Sequence, residues 1–202
     1  MDKRAMVIGI AGGSGAGKTT FSTKIRQALG TDICGFISQD NYYIDQSAHF
    51  VEDGGAVNFD DPAALEFTLL EAHLGSLCAG SSVEIPSYDF ASHTRASQTV
   101  LMDPSPIILV DGTLILSKPA AISFFDIRIF IDIAEDIRFE RRLRRDTRER
   151  GRTEDGVRAQ WASQVKPMHD RYVQPCAEVA DYVITDDISW DVCLREILSR
   201  VG

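Results

Sequence analysis

Residues 5–20 read AMVIGIAGGSGAGKTT. The first seven are an unbroken apolar run that ends on glycine, as expected of a strand buried on both faces. Gly12-Gly13-Ser14-Gly15-Ala16-Gly17-Lys18-Thr19 follows and matches G-x-x-x-x-G-K-[ST], with Thr20 next in line. In such a loop the glycines let backbone N–H groups turn inward around a phosphate, and the helix behind it points its positive end at the same place. Lys18 would reach the β- and γ-phosphates, and the Thr19 hydroxyl would ligate Mg²⁺. The motif needs a strand before it and a helix after it, and residues 18–29 read as that helix, with Gly30 as its stop. A glycine-rich turn carrying a solvated lysine is the bland alternative, and this context argues against it.

Outward from this loop, short β-rich runs alternate with helical segments. Strands are expected at 33–38, 106–110, 127–133 and 182–185, and helices at 62–77, 135–149, 156–173 (bent at Pro167) and 190–201. Asp61-Pro62 supplies an N-cap and a first-turn proline for the second helix. Residues 82–86 and 98–102 read as a small antiparallel pair. The alternation predicts a single α/β domain over 1–202, with a mostly parallel central sheet flanked by helices, a β-hairpin insertion near 82–102 and an Arg-rich lid near 138–158. Ligands in such folds bind beyond the carboxyl ends of the strands.

The composition narrows the function. The 202 residues carry 21 Lys and Arg against 30 Asp and Glu, a net charge of −9, which argues against nucleic acid or an anionic membrane as partner. A chain this long can bury roughly 70% of its unfolded surface without a disulfide or metal staple. No apolar stretch is long enough to span a bilayer or to serve as a signal peptide, so a cytoplasmic location is expected. Cys34, Cys78, Cys176 and Cys193 are scattered without a C-x-x-C and read as reduced, mostly buried thiols.

A phosphate-binding loop does not say what is done with the nucleotide. The guanine-reading N-K-x-D string is absent. A kinase needs a base beside the acceptor hydroxyl, a second carboxylate for the metal, and a cationic lid. Asp40 ends the second strand and could serve as the base and hold Mg²⁺ through water, or be half of a turn-forming Asp-Asn pair. Asp111 directly follows the 106–110 strand, where a metal-binding carboxylate is expected, although an Asp-Gly turn would look the same. Residues 138–152 hold eight Arg against Glu140, Asp146 and Glu149, a local charge of +5. Arg138, Arg142 and Arg145 fall on one helical face. That face is either simply solvated or a lid whose planar donors suit a phosphoryl group in transfer.

These strings together resemble the uridine kinases (uridine–cytidine kinases) of the phosphoribulokinase/uridine kinase superfamily. The matches run in order: GGSGAGKTT at 12–20, SQDNYY at 38–43, NFDDP at 58–62, YDFASHTR at 88–95, VDG at 110–112, RRLRRDTRERGR at 141–152, QW at 160–161 and VKPMHDRYVQP at 165–175. The resemblance implies transfer of the γ-phosphate of ATP or GTP, with Mg²⁺, to the 5′-hydroxyl of a pyrimidine ribonucleoside, by a homotetramer working in nucleotide salvage. It implies that Asp40 is the base, that Asp60, Arg142 and Gln160 hold the ribose, and that Tyr88, His93 and Arg152 meet the pyrimidine edge while Phe90 packs on the ring. Arg145 and Arg150 fall on lid positions facing the phosphates. The chain departs from the pattern at Asp111, where Glu is usual, at Asp61 and Ala63 for His and Asp, and at Cys176-Ala177 for Ser-Lys. Two alternatives stand beside this reading. One is a sister kinase of another hydroxylated metabolite, such as a nicotinamide riboside or a sugar phosphate. The other is a non-catalytic nucleotide-sensing module, against which the joint presence of Lys18, Thr19, Asp40 and Asp111 speaks.

Overall fold

The computed structural model describes residues 4–46, 58–90, 92 and 94–201. Five parallel strands form the central sheet in the order β2-β5-β1-β6-β7, where β1 is Met6–Gly12, β2 Cys34–Ser38, β5 Ile107–Gly112, β6 Ile127–Ile131 and β7 Tyr182–Ile184. Helices cover both faces, which is why the inner strands are apolar throughout rather than alternating. On one face Ile8, Ile10, Ile107 and Leu109 pack with Phe21 and Ile25 of α1 (Lys18–Leu29). Cys193 and Ile197 of α7 (Asp187–Val201) join the same cluster. On the other face Val7, Ala11, Ile108 and Val110 pack with Leu70, Leu74 and Leu77 of α2 (Phe67–Cys78). Outside the sheet, β3 (Val83–Asp89) and β4 (Thr94–Met102) pair as a separate antiparallel hairpin. A short helix α3 (Pro119–Ile122) leads into β6. The charged helix α4 (Glu135–Glu149) follows β6, and α5 (Glu154–Gln160) follows α4.

Most of the expected elements appear within a residue or two, and five differ. The helix expected at 62–77 is divided into a 3₁₀ turn, Pro62–Ala64, and α2. Between them Leu65 pairs with Tyr43 as an isolated antiparallel bridge, and Glu66 N donates to Tyr42 O, which holds the chain extended. Asp61 still caps as expected, but it caps the 3₁₀ turn, accepting from Ala63 N at 2.8 Å. The helix continues past Pro167 but changes its winding there. The chain stays helical through Trp161–Val165, α6 (Lys166–Met168) and His169–Val173 by opening into wider π-type turns, which absorb the missing proline N–H. Both hairpin strands run longer than expected. The last helix begins three residues early, at Asp187, because the Asp186 carboxylate accepts from Ser189 N and Oγ and so closes the first turn.

Cys34, Cys176 and Cys193 are buried free thiols, pushed by desolvation up to about 11, 11 and 12, and Cys78 is half-buried. Among the described residues no helix is long and apolar enough to cross a membrane.

Gln39 ties the ends of two strands together: it is 1% exposed and its Oε1 accepts from Leu114 N at 2.6 Å. Gly112 leaves room for it, since a Cβ there would stand 2.3 Å from Gln39 Cβ and 2.5 Å from its Oε1. Gly112→Ala is therefore expected to cost about 1–3 kcal/mol, the usual range for forcing extra volume into a packed interior. Urea unfolding of the two proteins measures it, and an equal midpoint would show that the end of β5 yields without strain.

Candidate active site

The loop between β1 and α1 is shaped by glycine. Gly15 and Gly17 lie in the left-handed region, at φ +80° and +100°, where a side chain is strained. At Gly15 there is also no space, because a Cβ would stand 2.3 Å from the carbonyl oxygen of Arg138 on α4. The phosphate cradle is thus packed directly on the arginine helix. Lys18 folds back over the loop, its Nζ donating to Gly12 O at 2.9 Å and Gly13 O at 3.0 Å.

Carboxylates face this loop from the neighbouring strands. Asp111, near the end of β5 and 4% exposed, lies with Oδ2 at 3.3 Å from Thr19 Oγ1 and 3.4 Å from Ser22 Oγ. Asp40 opens the 3₁₀ turn Gln39–Tyr42 that leaves β2, and its N–H donates to Ser38 Oγ at 3.4 Å. Burial pushes the carboxyls of Asp40, Asp60 and Asp111 above the usual aspartate value, with the positive charge of Lys18 pulling against the rise in each. Burial likewise pulls Lys18 below its ordinary value, and the charges of Asp111 and Asp40 oppose that fall. The oxygen-only set of Thr19, Asp40 and Asp111 suits a hard cation. No cluster of three or more His, Cys, Asp or Glu groups capable of holding a metal occurs among the described residues.

Beyond Asp40 the cleft turns aromatic. Tyr43 is 5% exposed and donates its hydroxyl to Phe59 O at 2.9 Å, next to Asp60. The rings of Tyr43, Phe59, Tyr88 and Phe90 lie 5.1–6.0 Å apart, mostly edge to face. The Tyr88 hydroxyl is buried without a hydrogen-bond partner among the described residues. Arg95 on β4 pairs with Glu66 and donates to Tyr43 O at 3.0 Å, so the hairpin is fastened to the turn that carries Asp40.

The arginine face is not a solvated one. Arg138 and Arg142 are 5% and 7% exposed. Arg142 donates to Ser14 Oγ at 3.1 Å and to Gln160 Oε1 at 2.9 Å, and Arg152 donates to the same Gln160 oxygen at 2.6 Å. Arg138 takes a different direction from Arg142 and Arg145, packing under the loop with Nε on Ile133 O and its guanidinium 5.6 Å from the Trp161 ring. Arg150 lies 5.4 Å from the Phe90 ring.

One cleft gathers Ser14, Gly15, Lys18, Thr19, Asp40, Asp60, Phe90, Asp111, Arg142, Arg145, Arg150, Arg152 and Gln160. Thr20 lines a second hollow on the same loop, together with Ala16, Gly17, Arg141 and Trp190. Tyr88 touches the cleft through its aromatic neighbours, and His93 lies outside the described residues. Tyr43, Phe59 and Thr113 also line the cleft and were not singled out from the sequence. The SQDNYY and NFD strings bracket the first two, but a lone aromatic beside a turn carries no chemical signal of its own. A larger open hollow on α4 and α5, about 590 Å³, is lined by Glu135, Asp136, Phe139, Arg158 and Trp161 and lies apart from this chemistry.

Comparison with known proteins agrees with the geometry. The sequence is 40% identical over 201 residues to the uridine kinase of Chloroflexus aurantiacus, covering 100% of this chain and 96% of that one. It is 40% identical over 199 residues to the uridine kinase of Clostridium perfringens, covering 98% and 96%. The fold matches that of the phosphoribulokinase from Rhodobacter spheroides with a TM-score of 0.66 at 13% identity, covering 91% of this chain and 71% of the other. The sequence model of the Phosphoribulokinase / Uridine kinase family matches residues 7–191. With its phosphate cradle, facing carboxylates and arginine helix, the chain is a phosphotransferase that belongs to the phosphoribulokinase/uridine kinase family.

Proposed function

We propose that the enzyme is a nucleoside kinase that transfers the γ-phosphoryl group of ATP or GTP to the 5′-hydroxyl of a pyrimidine ribonucleoside, uridine or cytidine. The observation that carries this reading is the position of Asp40. It shares one cleft with Lys18 on the donor side and with Asp60, Arg142 and Gln160 on the acceptor side. The two relatives described above, both uridine kinases, support the choice of acceptor.

In this reading Lys18 and the loop N–H groups hold the donor phosphates. Thr19, Asp111 and Asp40 would hold Mg²⁺, which when bound neutralises charge on the phosphate oxygens. Asp40 accepts the proton of the attacking hydroxyl, and its carboxyl, raised by burial, is a better base than an exposed aspartate. Arg145 and Arg150 offer planar donors to the phosphoryl group in flight. Asp60 accepts from the ribose hydroxyls, as an ionised carboxylate must, with Arg142 and Gln160 beside it. The pyrimidine ring lies among Phe90, Phe59 and Tyr43, its edge met by Tyr88 and Arg152; the part the resemblance gives to His93 belongs to the same reading. ADP release measured across a panel of nucleosides tests the whole reading. Failure with every pyrimidine ribonucleoside would reject it.

Asp40→Asn should lower kcat by about 10²–10⁴, the usual worth of a general base, with little change in donor binding. The same change should stabilise the ligand-free fold. A carboxyl whose folded pKa lies above its unfolded value makes stability fall as pH rises through the interval between the two. The variant's advantage in Tm is therefore expected to be larger at neutral pH and to shrink as the pH is lowered toward 3.8. A variant less stable than wild type at pH 7 would mean that Asp40 is a structural anchor.

The sugar gives a separate test. A site built around a hydroxyl rejects the analogue lacking it, because buried polar groups then go unpaired. Uridine should exceed 2′-deoxyuridine by about 10²–10³ in kcat/KM. Asp60→Ala should lose uridine activity while narrowing that ratio. An unchanged ratio would remove Asp60 from the sugar.

A further inference from the structure

In the sequence Asp146 is one of three acids scattered through an arginine-rich helix. In the fold it is 0% exposed, and the arginines of the cleft are arranged around it. Its Oδ1 accepts from Arg145 Nε at 2.8 Å and lies 3.6 Å from Arg150 Nη1. Its Oδ2 lies 3.3 Å from Arg142 Nε, a charge contact rather than an aligned hydrogen bond. Its backbone carbonyl accepts from Arg152 N at 3.1 Å, closing the turn through Gly151, whose φ is +64°. One residue thus touches all four arginines that line the cleft.

Four guanidiniums gathered in a partly desolvated space repel one another and would splay into water unless an anion held them. Asp146 is the anion in direct contact with three of them, Arg142, Arg145 and Arg150, with Asp60 and Asp40 facing the same group across the cleft and the Arg152 guanidinium held on Gln160. It also constrains direction. By engaging Arg145 through Nε it leaves the two terminal amino groups of that side chain for another acceptor, as a donor to a planar phosphoryl group requires. Arg142, held from the opposite oxygen, keeps its terminal nitrogens on Ser14 and Gln160. The donor loop, the acceptor side and the phosphate-facing arginines are therefore registered against a single carboxylate.

We infer that Asp146 is a positioning residue for phosphoryl transfer, acting through Arg145 and Arg150 on the rate and through Arg142 on the acceptor. The inference rests on the reaction proposed above. It makes a prediction opposite in sense to simple electrostatics. Neutralising an acid beside a triphosphate site should by charge alone tighten donor binding and spare kcat, whereas loss of a positioning group lowers kcat and leaves donor KM unchanged or raised.

The test is a double-mutant cycle on the full-length enzyme. The parameters kcat and KM for ATP and uridine are measured on wild type, D146N, D146E, R145A and D146N/R145A, with circular dichroism and a thermal melt for each. D146N is expected to lose about 10²-fold in kcat, the scale of an ångström-level misplacement, and D146E to recover part of it. On the R145A background D146N should cost clearly less than it does alone, the part carried through Arg145 being already lost and the part carried through Arg150 remaining, since residues acting as a unit do not add. A merely structural role would give multiplicative losses that track the fall in Tm. The proposal is overturned by multiplicative losses, or by D146N keeping kcat within about threefold of wild type with a lowered donor KM. If D146N does not melt cooperatively, the D146E/R145A cycle is read in its place. A wild type inactive on uridine counts against the proposed function alone, and the cycle is then run on the acceptor from the nucleoside panel that sustains ADP release.

Discussion

Lys18 lies among Asp40, Asp60 and Asp111, and burial works against the charge on all four groups. Removing a charge from water costs more than a single hydrogen bond returns, so each of these groups depends on its charged neighbours. The charge of Lys18 opposes the effect of burial on each carboxyl and the carboxylates oppose it on Lys18, while the arginines of the lid favour the charged forms of Asp40 and Asp60, so the cleft behaves as one electrostatic unit. The parallel sheet makes this possible. Strands β2, β5 and β1 are neighbours, their carboxyl ends lie together, and Ser38 and Asp111 are register partners across β2 and β5. The cost of gathering these charges is met by the apolar strands below, and what remains is a site whose potential is already set before any ligand arrives.

How much of this was legible in the sequence depends on whether the signal was local. The loop at 12–19 could be read because its backbone conformation is available only to glycine and because a strand and a helix must flank it. Asp40 and Asp111 could be read because each follows an apolar run of strand length. The arginine face showed in its helical spacing. The ribose and base residues came instead from the resemblance, since nothing in NFD or YDF announces a sugar or a ring by itself.

What escaped was set by contacts between residues distant in the chain. The bridge from Tyr43 to Leu65 divides an apolar and otherwise helical stretch. The π-type turns around Pro167 arise because the segment is packed against the sheet and cannot swing away, so the helix widens there rather than breaking. Tyr43 and Phe59 matter through a four-ring cluster that no one segment contains. Asp146 looked like ordinary helix-surface charge patterning until its complete burial was seen, and only a fold that turns that face inward gives a lone acid such weight.

The contact between Gly15 and the Arg138 carbonyl has a consequence for which changes in chain length the protein can absorb. Helix α4 is seated against the loop at its first turns, with Arg138 Nε also anchored on Ile133 O. Inserting or deleting one residue at 132–134 would rotate the helix by about 100° relative to the sheet. All of its inward arginines would leave together, and no point substitution could return them. The turn at Gly80 is the opposite case, with nothing within 4 Å of a Cβ placed there. Such an open turn has room for a change of length, whereas the spacing from β6 to α4 cannot change without moving the seat of Arg138 on the loop.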